Sequence, residues 1–134
     1  MVDDTQLVQA ASAARQLSYA PYSRFKMGAA VATQSDTVIP GALVENVSLG
    51  LAMCAERVAL FSAVAVGERP LMLAVVSERT GGQLTFPCGA CLQVALELAG
   101  PDLRVVAATP DGETTSATLA ELLPLGPRKN AHRT

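Results

Sequence analysis

Short apolar runs with strand character alternate with segments of helical periodicity along this 134-residue chain. The apolar spacing predicts helices at residues 4–17, 54–66, 89–98 and 118–123, and strands at 27–33, 37–45, 71–77 and 103–108. One more strand can fit before the last helix. The first two strands form a hairpin through the turn at 34–36, whereas the later strands run parallel. The pattern therefore predicts an α/β fold with a mixed sheet and helices packed on it.

Length and composition limit the classes of function. A chain of this length fits one domain, placed here at residues 1–126, with a frayed C-terminal tail at 127–134. The net charge of −2 and the 4% aromatic content argue against nucleic acid as a partner. The longest apolar stretches, such as 58–66, are too short to span a membrane. Because the chain starts acidic at Asp3 and Asp4, rather than as a secretory signal does, we expect a cytoplasmic protein.

Three cysteines carry the chemical signal. Cytoplasmic cysteines are more often metal ligands, catalysts or buried thiols than disulfide partners. Cys88 and Cys91 are three apart at a predicted helix start, so both thiolates can reach one metal. Cys54 is the only other cysteine, and the only histidine, His132, lies in the predicted tail. The set favours a zinc site of three cysteines, with a fourth position open for water as in catalytic zinc sites.

Glu56 and Arg57 complete the predicted site. Residues two apart on a helix do not share a face, so Glu56 can approach a water on the metal from a different direction than Cys54. A carboxylate in that position is a natural proton carrier. Three thiolates on Zn²⁺ leave a net charge of about −1, which the helix N-termini and Arg57 would offset.

Each residue taken alone has a plainer interpretation. A Cys-x-x-Cys pair is also compatible with a redox pair or with buried thiols. Cys54 alone would be read as a core thiol, and Glu56 alone as an exposed helix residue. The combination of Cys-x-Glu at one helix start with Pro-Cys-x-x-Cys at another is far more specific.

Cys54-Ala55-Glu56-Arg57 and Pro87-Cys88-Gly89-Ala90-Cys91 resemble the two zinc motifs of the small cytidine deaminases. The likeness runs from about residue 5 to residue 124. It includes the segments 21–25, 28–30, 44–46 and 121–124. The resemblance implies a three-layer fold with a mixed five-stranded sheet and helices on both faces. It also implies one zinc per chain and a homotetramer whose neighbouring subunits complete each active site.

The resemblance further implies hydrolysis of cytidine or deoxycytidine to uridine or deoxyuridine, with release of ammonia. Glu56 would carry a proton from water to the ring nitrogen and then to the leaving amino group. The substrate contacts would come from Phe25, Leu43, Glu45 and the backbone around Ala55 and Cys88. Among these, Phe25 flanks the substrate and Glu45 binds the sugar.

Several positions depart from the family pattern. Leu43 stands where an Asn usually contacts the sugar, Leu49 where Tyr is common, and Leu92 where Arg is common. No aromatic residue follows Pro124. Drift in a true cytidine deaminase is one interpretation, with Leu49 and Leu92 as repacked core positions. A second is a deaminase of another aminated heterocycle or of a nucleoside antibiotic such as blasticidin S. A third is a non-catalytic zinc module, against which Glu56 and the open ligand position count.

Overall fold

The computed structural model describes residues 1–129. Four α-helices and five strands follow one another as α1 (Asp4–Arg15), β1 (Gly28–Thr33), β2 (Val38–Ala42), α2 (Ala55–Ala65), β3 (Pro70–Val76), α3 (Gly89–Ala99), β4 (Arg104–Ala108), β5 (Thr114–Thr118) and α4 (Leu119–Leu122). A single 3₁₀ turn at Leu49–Leu51 precedes α2. No helix in this part of the chain is long and apolar enough to cross a membrane.

The five strands form one sheet in the order β2-β1-β3-β4-β5. β1 pairs antiparallel with both β2 and β3, whereas β3 and β4 are parallel. The crossover between the parallel strands is α3, as parallel pairing requires. β5 pairs antiparallel with β4 and is the additional strand for which the sequence leaves room. The prediction of a mixed sheet is confirmed.

Alternating side chains of the central strands pack on opposite faces of the sheet. On one face, Val31, Leu73 and Val105 contact α2 and α3. On the other, Ala30, Ala74 and Val106 pack against Leu7 and Ala11 of α1. The helices therefore lie on both faces, and this part of the fold prediction is also confirmed.

A glycine in β2 allows α2 to lie close against the sheet. A Cβ atom added to Gly41 would lie 2.4 Å from the carbonyl oxygen of Ala55 and 2.5 Å from the amide nitrogen of Ala59. Any side chain at Gly41 would therefore push away the N-terminal part of α2. That part of the helix carries Cys54 and Glu56.

β2 ends three residues earlier than predicted, at Ala42 instead of residue 45. The next residues leave the strand and lie between two other segments. Val44 forms isolated bridges with Tyr19 on one side and with Met53 on the other. Residues 43–45 lie outside the sheet, but their backbone is still hydrogen-bonded on both sides, which explains their strand-like sequence.

The helix boundaries differ from the predictions by one to two residues. α1 ends at Arg15 instead of residue 17. α4 begins after Thr118, which is the N-cap and forms a capping box with Glu121. In the predicted tail, the carbonyl of Pro127 accepts a hydrogen bond from Gln93 Nε2 at 2.9 Å. The rest of that tail, including His132, lies outside the described residues.

Candidate active site

Two helix starts bring the three cysteines together. Cys54 is the N-cap of α2 and Cys88 is the N-cap of α3, while Cys91 lies in the first turn of α3. Their Sγ atoms all lie within 4.8 Å of one another. Neither N-cap side chain caps its own helix, so both sulfurs remain available as ligands. The orphan N–H groups of both helices thus face one thiolate cluster, which favours negative charge there.

The cluster fits zinc. Zn–S bonds of about 2.3 Å in tetrahedral geometry place neighbouring sulfurs roughly 3.8 Å apart. The Sγ atoms of Cys88 and Cys91 are already 3.6 Å apart. All three cysteines are free thiols, with Cys91 buried, Cys54 half-buried and Cys88 exposed. The site is therefore open on the Cys88 side, where a water or substrate can enter.

The protonation of the thiols is uneven. Hydrogen bonding from the Cys91 thiol, reinforced by the Arg57 guanidinium, lowers the pKa of Cys54 to about 5. The same Cys54–Cys91 hydrogen bond, together with burial, raises the pKa of Cys91. Arg57 Nη2 lies 3.2 Å from Cys54 Sγ. The predicted supporting cation therefore touches a predicted ligand directly.

Glu56 lies in the first turn of α2 and is only 2% exposed. Its Oε1 is buried and has no hydrogen-bond partner among the described residues. Burial raises the pKa of this carboxyl to about 7. A buried carboxylate oxygen without a described partner is costly, and here it belongs to the residue two positions after Cys54. A group with this pKa can both take up and release a proton near neutral pH.

The segment 43–45 runs beside the cysteine cluster. Val44 and Met53 exchange two backbone hydrogen bonds of 3.0 and 2.9 Å, and Met53 directly precedes Cys54. On its other side, Glu45 donates its backbone N–H to Tyr19 at 2.8 Å. Glu45 is therefore fixed to the same local framework as the first cysteine.

The carboxylate of Glu45 is held by the loop that leads to Phe25. Oε2 accepts a hydrogen bond from the Ser23 hydroxyl, and Oε1 accepts from the backbone N–H groups of Tyr22 and Ser23 at 3.0 and 3.2 Å. These bonds, that of the Ser23 hydroxyl above all, hold the pKa of Glu45 below its usual value. Glu45 therefore stays an ionised hydrogen-bond acceptor. Phe25, half-buried, lies in the same loop.

The remaining predicted contacts are apolar. Leu43 is half-buried and packs against the core cluster that contains Ala55, which is fully buried. Leu92 is 6% exposed in that core, in agreement with a repacked core position. Leu49 is 84% exposed. The interpretation of Leu49 as a core position is therefore wrong for the single chain, because the 3₁₀ turn directs it outward.

Ser23 is a site residue that the sequence did not predict, although the segment 21–25 resembles the family pattern. Its hydroxyl accepts a hydrogen bond from the backbone N–H of Phe25, two residues ahead, at 3.0 Å. Ser and Thr often form this local turn, so the turn itself was readable from the sequence. The bond to Glu45 was not, because it spans 22 residues.

Comparisons with known proteins agree with this geometry. Residues 1–108 match the family profile described as the cytidine and deoxycytidylate deaminase zinc-binding region. The cytidine deaminase of Halalkalibacterium halodurans is 42% identical over 123 residues, which cover 92% of each chain. That of Mycobacterium tuberculosis is 39% identical over 124 residues, covering 92% of this chain and 88% of the relative.

Solved structures give the same result. The cytidine deaminase of Burkholderia pseudomallei superposes with a TM-score of 0.85 at 48% identity, covering 92% of this chain and 98% of that one. The enzyme from Mycobacterium leprae gives a TM-score of 0.78 at 40% identity, covering 93% and 100%. The fold and the cysteine cluster define a zinc-dependent deaminase. The chain belongs to the cytidine deaminase family, and the predicted zinc cofactor is confirmed.

Proposed function

We propose that this protein hydrolyses cytidine and 2′-deoxycytidine to uridine and 2′-deoxyuridine and releases ammonia. The observation that carries the proposal is the unpaired carboxylate oxygen of Glu56, buried beside three cysteines that fit one zinc. The relatives above are named cytidine deaminases, and they cover nearly the whole chain. The three free thiols suit a reducing compartment, so we place the reaction in the cytoplasm.

Cys54, Cys88 and Cys91 would hold the zinc, and Arg57 would offset part of the thiolate charge. When bound, the zinc supplies chemistry by lowering the pKa of a coordinated water. Metal analysis tests the ligand set: the unmodified chain should carry one zinc, and Cys54→Ala should lose most of it. Full zinc in Cys54→Ala would contradict the three-cysteine site.

Glu56 would move the protons. Its carboxylate accepts a proton from the attacking water and delivers it to the ring nitrogen, which makes the ring carbon more electrophilic. Glu56 then takes the proton of the hydroxyl that has bonded to this carbon and delivers it to the amino group. The amino group leaves as ammonia while the hydroxyl becomes the carbonyl of uridine. The pKa near 7 suits a group that must act as base and then as acid. Burial at 2% exposure keeps bulk water from competing for these protons.

Substrate orientation would come from Phe25 beside the ring, Glu45 at a sugar hydroxyl, and the backbone around Ala55. Leu43 supplies only an apolar surface. This last feature favours a second candidate, the deamination of another aminated heterocycle or of a blasticidin-like nucleoside, with the same zinc chemistry. A merely structural zinc does not explain why Oε1 of Glu56 is buried without a hydrogen-bond partner among the described residues.

An ammonia-release assay separates these candidates. Zinc-loaded protein would be assayed with cytidine, deoxycytidine, cytosine, adenosine and blasticidin S. Turnover of the first two substrates supports the proposal. Turnover of blasticidin S or adenosine alone would favour the second candidate. Failure to release ammonia from any substrate would favour a non-catalytic module.

We also propose a homotetramer. Phe61, Val64 and Val66 lie on or directly after α2 and are 45%, 53% and 64% exposed in the single chain. A second exposed apolar group lies beside the site, at Val47, Leu49 and Leu51. Exposed apolar groups of this kind are typical of protein interfaces. Contacts through both groups would let neighbouring subunits cover α2 and border the active site.

A further inference from the structure

One serine hydroxyl joins two parts of the proposed nucleoside site. Ser23 Oγ donates a hydrogen bond to Glu45 Oε2 at 2.5 Å and accepts one from the backbone N–H of Phe25 at 3.0 Å. A hydroxyl has one donor hydrogen and two acceptor lone pairs. The single donor of Ser23 is thus committed to Glu45, and one of its acceptor sites to Phe25.

The carboxylate of Glu45 is nearly saturated. A carboxylate offers roughly four acceptor sites, and three donors already occupy it, namely the Ser23 hydroxyl and the N–H groups of Tyr22 and Ser23. About one site therefore remains for a ligand hydroxyl. Because the other three bonds fix the plane of the carboxylate, the direction of that last acceptor site is fixed too.

The backbone conformation of Arg24 allows the hydrogen bond between the Phe25 N–H and the Ser23 hydroxyl. Arg24, between Ser23 and Phe25, adopts the left-handed conformation with φ of 62° and donates its N–H to Ala20 at 3.0 Å. A non-glycine residue in this region is strained and persists only where surrounding contacts hold it. Here the contacts are the bond from the Arg24 N–H to Ala20 and the bond from the Phe25 N–H to the Ser23 hydroxyl, which lie on either side of the strained residue.

Backbone hydrogen bonds connect Glu45 and Ser23 with the cysteine cluster. Glu45 follows Val44, and Val44 pairs with Met53, the residue before Cys54. A shift of the Glu45 carboxylate would therefore change the sugar position relative to the cysteines without touching the cysteines themselves.

We infer that Ser23 is a positioning residue for substrate binding, which aligns Glu45 with one sugar hydroxyl and fixes Phe25 beside the ring. This inference rests on the proposed nucleoside substrate. Ser23 touches none of the reacting atoms. Its loss should therefore weaken ground-state binding and leave the chemical step nearly unchanged.

The test uses zinc-loaded Ser23→Ala and Ser23→Thr proteins. A hydrogen bond to a charged group is lost in the first and kept in the second, so KM for cytidine should rise about tenfold in Ser23→Ala and recover in Ser23→Thr. The value of kcat should stay within about twofold. Ser35→Ala is the matched control, because the hydroxyl of Ser35, in the turn between β1 and β2, also donates a hydrogen bond to a glutamate, Glu68.

A sugar-specific readout separates positioning from a general structural effect. With 2′,3′-dideoxycytidine, which lacks the 2′- and 3′-hydroxyls, Ser23→Ala should change KM far less than with cytidine. A double-mutant cycle with Glu45→Gln should show the two substitutions to be non-additive. An equal KM increase for both substrates, or full additivity, would overturn the inference, as would an unchanged KM for cytidine.

Two further measurements remove ambiguity. Binding of the product uridine, followed by calorimetry, needs no turnover and should weaken by the same factor in Ser23→Ala. If Ser23→Ala does not fold, Ser23→Cys keeps the side-chain size with a weaker donor, and the same KM pattern is expected.

If the unmodified protein neither deaminates cytidine nor binds uridine, the proposed substrate is wrong and the inference falls with it. If the unmodified protein deaminates cytidine and binds uridine, but the Ser23 variants do not show the expected KM pattern, only the inference about Ser23 is overturned.

Discussion

Arg57 Nη2 donates a hydrogen bond to Cys54 Sγ at 3.2 Å, within the first turn of α2. The cation is thereby held against the half-buried thiolate at the start of the helix. Three thiolates carry more negative charge than one zinc ion neutralises. The positive charge of Arg57 offsets part of this excess, and its hydrogen bond orients the sulfur of Cys54.

Arg57→Gln should lower kcat/KM for cytidine at least about tenfold, because hydrogen bonds to charged groups contribute about 1.5–3 kcal/mol. The measurement is steady-state kinetics with zinc content determined on the same samples. Zinc should stay near one per chain, since all three sulfurs remain. Undiminished kcat/KM would show that Arg57 has no part in the function of the site.

Gly41→Ala should lower both stability and zinc binding, although Gly41 is not a predicted ligand. The new Cβ would meet backbone atoms of Ala55 and Ala59 at 2.4 and 2.5 Å, and overpacking of this kind costs about 1–3 kcal/mol. The urea midpoint and the zinc content should both fall. Gly50→Ala is the control, because a Cβ there meets no described atom within 4 Å. Equal stability of the two variants would contradict the tight approach of α2 to β2.

Much of this architecture could be predicted from the sequence because its signals are local. Apolar periodicity predicts helix starts at Cys54 and Cys88. The structure confirms both starts and brings the cysteines at these helix ends together. β5 gave a weak signal, since Thr114–Thr118 is a mostly exposed strand without an apolar face. The contacts of Glu45 with the loop at Ser23 depend on tertiary structure over 22 residues. No spacing rule reports such a contact.

Replacing apolar residues of α2 should dissociate the oligomer. Light scattering of the unmodified protein should give four times the chain mass of 13.9 kDa. Phe61→Lys combined with Val64→Lys should yield smaller species, because two charges would be buried in the interface. Leu17→Lys, at a residue 78% exposed just beyond α1, serves as the control. A monomeric unmodified protein at micromolar concentration would contradict the tetramer.

Leu43→Asn distinguishes the two substrate candidates. If cytidine is the substrate, an added amide should improve kcat/KM by roughly tenfold, the value of one hydrogen bond. Stability should fall, because Leu43 packs against the core. Leu43→Ala separates this loss of packing from the gain of an amide. If instead Leu43→Asn leaves cytidine turnover unimproved and harms the turnover of another heterocycle, the pocket is built for that heterocycle.

The most direct test of the account is ammonia release from cytidine by zinc-loaded protein, compared with Glu56→Gln. The account predicts turnover by the unmodified protein and a fall of about 10²–10⁴ in kcat for the variant. Zinc content and thermal stability should be preserved, since Gln keeps the shape and removes a buried charge. Glu97→Gln, at an exposed position on α3, is the control and should be fully active. Near-normal turnover by zinc-loaded Glu56→Gln would contradict the assignment of Glu56 as the proton carrier.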